Sequence, residues 1–445
     1  MKKSLSLLGM FFTVILFQNC DEQVTDPTLD PPTEEEIAEA EQLVDSANTL
    51  LFNELLNELG PDISTVDSLY DKALELDPNN KDAHFGKAFM EIALISQDED
   101  LLEAFNSWSA CSLFSDTDFF PENSNGISRS IINNSKSMVG IPQSIQESLS
   151  FDPLQVLHYL PIIRTHEQIL NRNINNCPDI SDIQDLLEVE FLSRISSAIA
   201  HFEIVLGSGF VFEITGEMMG DESQDMQPID DAAIYLMKAY MHQMRAMMYA
   251  IITYNINIPY YSENPESDMI ALLAQESNFL TIRSGQGNSW PNAHDDLNKV
   301  VDSIESALTF LQENSTASNQ LENDDIVEIT EAIDQLRMLL NQDINLSCES
   351  EGPCAMTLNI SNFLNNPPQN MKNILPDYNL QMGTCSQKGQ QVECPEFSWG
   401  ASDCDSWKAG WDVTIGGLLP NMTSEVIFSD LSEEECVEIL EIDID

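Results

Sequence analysis

Six histidines and 75 carboxylates supply most of the acid–base and metal-binding chemistry in this sequence, and their spacing argues against using either that way. His158 and His166 stand eight positions apart, with Glu167 beside the second, which spreads them over different parts of a helix surface. Core or solvent-facing histidines explain them better than a metal site. At this acid content, two carboxylates close in sequence carry no information about glycosidase chemistry. The stretch SDTDFFPENSNG has the wrong spacing for a calcium loop. SGQGNSW, residues 284–290, holds a lone GxG without the following glycine, which reads as a turn and not as a nucleotide site. No GxSxG elbow, HExxH helix or GxxxxGK[ST] phosphate loop occurs. The expectation is a protein that is not an enzyme, with no catalytic residue, no metal and no cofactor.

Other side chains suit binding. Met237, Met241, Met244, Met247 and Met248 form a stripe that fits a helix core, or alternatively an adaptable docking groove. Trp399, Trp407 and Trp411 hold three of the five tryptophans and would either pack inside a small module or stack sugars. Of nine cysteines, Cys348, Cys354, Cys385, Cys394, Cys404 and Cys436 crowd the last hundred residues, while Cys111 and Cys177 stand apart. No CxxC occurs, so zinc is disfavoured, and in an oxidising compartment these eight are disulfide candidates whose pairing stays open.

The ninth, Cys20, follows a positive MKK and the apolar run LSLLGMFFTVILF, about 13 residues long and short for a membrane span. The polar, Pro-rich DEQVTDPTLDPPTEEE comes next. This layout resembles a bacterial lipoprotein signal, although Phe17, Gln18 and Asn19 stand where small residues are commonest. The resemblance implies Cys20 as the lipid attachment site and a cell-envelope location, an outer-membrane lipoprotein facing periplasm or exterior. An ordinary secretory signal is the alternative. The formal net charge of -57 comes from 18 Lys and Arg against 75 Asp and Glu. Such a body repels nucleic acid, so no nucleic-acid partner is expected. A screened acidic surface accounts for the charge, with a sink for divalent cations as the other reading.

Helical periodicity runs from residue 33 to about 343. Thr33 and Glu36 have capping-box spacing at the first start. Helices are expected over 33–59, the stretch ISTVDSLYDKALEL, KDAHFGKAFMEIAL, 98–113, 152–173, 180–206, 229–257, 266–279, 292–314 and 324–343. The 229–257 segment contains Lys238, His242 and Arg245, which suits the central helix of a bundle better than a membrane span. Phe210, Phe212 and Ile214 alternate like a short strand or hairpin. Past residue 345 the chain turns rich in Gly, Pro, Asn and Cys.

Between two of these helices, KALELDPNNKDAHFGKAF resembles the junction of two tetratricopeptide repeats. Tyr70, Ala73 and Pro78 match the aromatic, small and proline positions, and Ala83 and Ala88 match small positions of the next helix. His84 replaces a large aromatic and Lys87 an expected leucine. The resemblance covers residues 64–94, and no period of about 34 residues continues past residue 115. It implies a mainly α fold, a TPR-like antiparallel helical array, with Asp82, Phe85 and Phe89 presented to a protein or peptide partner. The organisation that follows is a signal peptide at 1–19, a flexible acidic tether at 20–32, TPR-like repeats at 33–115, an irregular helical body at 116–344 and a Cys-rich, disulfide-held loop-and-strand module at 345–445. The expected function is a membrane-anchored scaffold for cell-envelope proteins or peptides. The alternative is a glycan-capture lipoprotein, similar to the starch-utilisation surface binders.

Overall fold

A computed structural model describes residues 31–56, 63–95, 98, 100–101, 103–104, 179–207, 209–214, 227–257, 277–314, 323–347, 355–374, 378–387, 390–399 and 412–422. Over these residues the protein is mainly helical, with a few short antiparallel strand pairs. The expected helix at 152–173 lies outside them, as does most of 98–113. Residues 277–279, the end of the expected 266–279 helix, form a turn.

Helix α1 (Glu34–Leu56) starts on its capping box: Thr33 N–H donates to Glu36 Oε2 at 2.7 Å, and Glu36 N–H donates to Thr33 Oγ1 at 3.3 Å. Its buried face is Ala40, Val44, Ala47 and Leu51. Helix α2 (Ile63–Leu76) buries Ile63, Val66, Tyr70 and Ala73 at helical spacing. Pro78 forces Asp77 out of the helical region and ends it. The turn then closes on itself, with Asn80 N–H donating to Asp77 O at 3.0 Å. Asn80 Oδ1 accepts from Ala83 N–H at 2.9 Å, starting helix α3 (Lys81–Ile95). So short a link makes α2 and α3 an αα-hairpin. Tyr70 welds it: its hydroxyl donates to Asn48 Oδ1 of α1 at 2.6 Å, while its ring lies on Gly86 of α3. A Cβ at position 86 would sit 2.1 Å from Tyr70 Cζ, so only glycine allows this approach.

Residues 180–205 form one rod in three parts: α4 (Ile180–Leu186), a π turn (Leu187–Phe191) and α5 (Leu192–Val205). Then come strand β1 (Phe212–Ile214), its antiparallel partner β2 (Gln227–Ile229), and helices α6 (Asp231–Thr253), α7 (Ser289–Glu313) and α8 (Asn323–Asn341). The alternation of Phe212 and Ile214 is thus a strand. Helices pack in the order α1, α2, α3, α5, α6, α7, α8. Helix α6 lies between two cores and is buried on most of its faces. Met237, Met241, Met244 and Met248 join the core shared with α1, α2, α3 and α5. Ala232, Leu236 and Ala239, on another face, join the core of α7 and α8. The methionine stripe is therefore core. No helix among the described residues is long and apolar enough to cross a membrane.

The C-terminal end of α6 leaves carbonyls that need donors. Gln184 Nε2 supplies Ile251 O and Tyr254 O at 2.7 and 2.8 Å, and Arg283 Nη1 supplies Ile252 O at 3.0 Å. Residues 284–288 are the turn expected there, leading straight into α7.

Strands β3 (Ile344–Ser347) and β4 (Ala355–Leu358) pair, followed by the short helix α9 (Ile360–Asn365). Trp290 of α7 packs edge-on to Phe363 of α9 at 5.1 Å and to Tyr254 at 6.0 Å. His294 of α7 donates through Nε2 to Leu340 O and accepts at Nδ1 from Asn365 Nδ2. Residues 355–374 are thereby seated on the helical body. Strands β5 (Tyr378–Gln387) and β6 (Gln390–Trp399) form an antiparallel hairpin.

Candidate functional site

The three residues expected to face a partner sit on α3, and the structure separates them. Asp82 remains exposed in the first turn. Its carboxyl is pushed above the usual range, first by its partial desolvation and then by Asp45 and Glu41 of α1. Phe85 and Phe89 are each only 3% exposed. Phe85 meets Phe89 at 4.9 Å, Phe212 at 4.8 Å, Phe210 at 5.6 Å and Phe202 at 6.3 Å. Presentation of Phe85 and Phe89 to a partner is thus corrected: α5 and β1 fill the face that the repeat resemblance leaves open. The physical reason is apolar area, since a short helical stack must cover its last bare face and these aromatics do so.

Both departures from the repeat pattern become polar ties here. Lys87 stands where leucine was expected, with Nζ 2.6 Å from Asp67 Oδ1 and 2.7 Å from Asp71 Oδ1 of α2. Burial works against its charge, but the two carboxylates outweigh it and raise its pKa. His84 stands where an aromatic was expected. Its Nε2 lies 3.0 Å from Pro78 O, and its Nδ1 lies 2.7 Å from Nδ1 of His201 on α5. Two turns beyond His84, Glu91 of α3 accepts from Ser197 Oγ at 3.1 Å and from Arg194 Nη1 at 3.4 Å, both on α5.

A second polar cluster lies across α5. Asp296 of α7 accepts from His242 Nδ1 at 2.9 Å and, in bidentate fashion, from Arg245 Nε and Nη2 at 2.8 and 2.6 Å, both residues on α6. Arg245 Nη1 also donates to Ser196 Oγ of α5 at 3.0 Å, so one guanidinium joins three helices. Burial works to raise the Asp296 pKa, but Arg245 and His242 overcome it and hold the carboxyl low. Burial holds His242 below the ordinary imidazole range, ahead of the opposing pull of Asp296. His242 and Asp296 have the bonding order of a carboxylate-oriented base. However, His242 is 1% exposed and its Nε2 has no partner among the described residues. Ser196 Oγ donates to Leu192 O and accepts from Arg245, not from the imidazole. This cluster is built to clamp helices. Sequence reading missed it because its members are 51 and 54 positions apart and only the fold joins them.

Among the described residues no group of three or more His, Cys, Asp or Glu could hold a metal ion. Cys385 and Cys394 lie on the β5–β6 hairpin, where Cys385 is opposite Val392 and Cys394 opposite Gly383. Trp399 ends β6 opposite Tyr378. Cys20, Cys111, Cys177, Cys348, Cys354, Cys404, Cys436, His158, His166, Trp407 and Trp411 lie outside the described residues. No protein-family model, no curated protein and no solved structure matches this chain.

Proposed function

We propose that the protein is a lipid-anchored, extracytoplasmic scaffold of the cell envelope that binds other proteins or peptides and performs no catalysis. The observation that carries this reading is the α2–α3 hairpin stacked between α1 and α5, with Tyr70 on Gly86 and the turn at Pro78. That stack is what a TPR-like array would use to hold a binding surface rigid. Anchoring through Cys20 is supported by the lipoprotein-like MKK, apolar run and cysteine.

With Phe85 and Phe89 inside, the surface of α1 and α3 near Asp82 is acidic, carrying Glu41 and Asp45. A basic, amphipathic segment is the complementary partner, since a cation would relieve the repulsion among these carboxylates. Glycan capture is the second reading, favoured by the grouping of Trp399, Trp407 and Trp411 in the sequence.

The anchoring claim is tested by Cys20→Ser, which should lose lipid label and leave the membrane fraction; retention of both contradicts it. The partner claim is tested by titrating the lipid-free chain with a basic amphipathic peptide. Binding should weaken with salt and drop about tenfold in the Asp45→Asn, Asp82→Asn double variant. Retention on a glycan column, abolished by Trp407→Ala, would instead favour the second reading.

A further inference from the structure

The contact between His84 and His201 admits only one hydrogen. Pro78 O is an acceptor, so His84 Nε2 carries a proton whenever that 3.0 Å bond is made. In the neutral imidazole His84 Nδ1 is then a bare acceptor, and His201 Nδ1–H donates to it across 2.7 Å. Adding one proton to the pair keeps the bond, with either ring as donor. Adding a second sets N–H against N–H and cation against cation at the same distance. We infer that His84 and His201 form an acid-labile tie between α3 and α5, closed while one hydrogen lies between the rings and opened when both rings are cations.

The surroundings resist the second proton. Burial first, then His84 and Lys87, lower the His201 pKa to about 4 against the opposing pull of Asp71. Lys87 is itself held by Asp67 and Asp71 of α2. Along the same seam, Glu91 of α3 faces Arg194 of α5. On the far side of α5, Glu203 pairs with Lys238 of α6, and Arg245 and His242 share Asp296. A histidine held below its unfolded value favours the folded state fully above about pH 6.5, and that contribution is lost as pH falls toward about 4. The tie also closes the face over Phe85 and Phe89, so acid loosens the layer that hides them.

The test uses the full chain with labelled histidine, whose six imidazoles can be followed individually by NMR from neutral pH to pH 3. His84→Gln and His201→Gln assign the two signals. His201 should titrate near pH 4, well below an ordinary imidazole. In His84→Gln the His201 midpoint should rise. A His201 step at the ordinary imidazole value, unchanged in His84→Gln, would overturn the inference. Urea unfolding supplies the second readout. Between pH 6.5 and 4 the unfolding constant of the unmodified chain should grow roughly tenfold to a hundredfold more than that of His201→Gln, allowing for partial exposure. Parallel changes in the two proteins would equally overturn it.

Discussion

At the scale of residues, the α2–α3 hairpin depends on one missing side chain. Gly86→Ala would drive a methyl group into the Tyr70 ring, with 2.1 Å available to Cζ and 2.6 Å to the hydroxyl oxygen. Tyr70 cannot give way freely, because it is fully buried and bonded to Asn48. The variant should lose about 3 kcal/mol in urea denaturation, the upper part of the overpacking range. A change below about 0.5 kcal/mol, the size of an ordinary surface substitution, would mean that the ring does not lie on this backbone. Tyr70 was legible in the sequence as the aromatic of the junction; its glycine partner was not, since nothing local marks a close approach between two helices. Lys87 teaches the reverse lesson. It reads as a defect in an apolar pattern, yet Asp67 and Asp71, one helical turn apart on α2, both pair with it across the helices.

At the scale of elements, the helices were readable because their faces repeat at the helical period, and two of their ends because Thr33 and Pro78 are start and stop signals. The start of α6, expected at residue 229, lies at Asp230, whose Oδ1 accepts from Ala233 N–H at 3.2 Å. What covers each face was less readable. Helix α3 shows why: residues 83–90 are all buried, His84 and Lys87 included, so layers flank it on more than one side. The same logic places α6 at the centre. Its tie to its neighbours runs through Arg245, Asp296 and Ser196, and Asp296→Asn should expose how much rests on that clamp. The change leaves Arg245 buried beside a neutral amide and should cost about 3–5 kcal/mol by denaturation. Because the Asp296 carboxyl is held below its unfolded value, its contribution is present above that value and fades as pH falls through the lower folded value. The penalty should therefore persist at pH 7 and shrink in strong acid. An Asp296→Asn chain as stable as the unmodified one at pH 7 would show that the clamp is not formed.

At the scale of the whole molecule, charge dominates. A net charge of -57 on one chain repels itself, and among the described residues Lys87, Lys238 and Arg245 are committed to cross-helix pairs. Salt shortens the screening length from about 30 Å at 0.01 M to about 3 Å at 1 M. The urea midpoint should consequently rise with sodium chloride over that range, and a midpoint that falls would mean local ion pairs outweigh the global repulsion. The layered order from α1 to α8 is what sets where this charge lies, and it rests on α3 being enclosed by α2 and α5. Amide hydrogen exchange at neutral pH reads that enclosure directly. Residues 81–95 and 192–205 should be protected to the level of global unfolding and should exchange together. Exchange in 81–95 faster by orders of magnitude than in 192–205 would leave α3 uncovered and contradict the stack on which the scaffold is built.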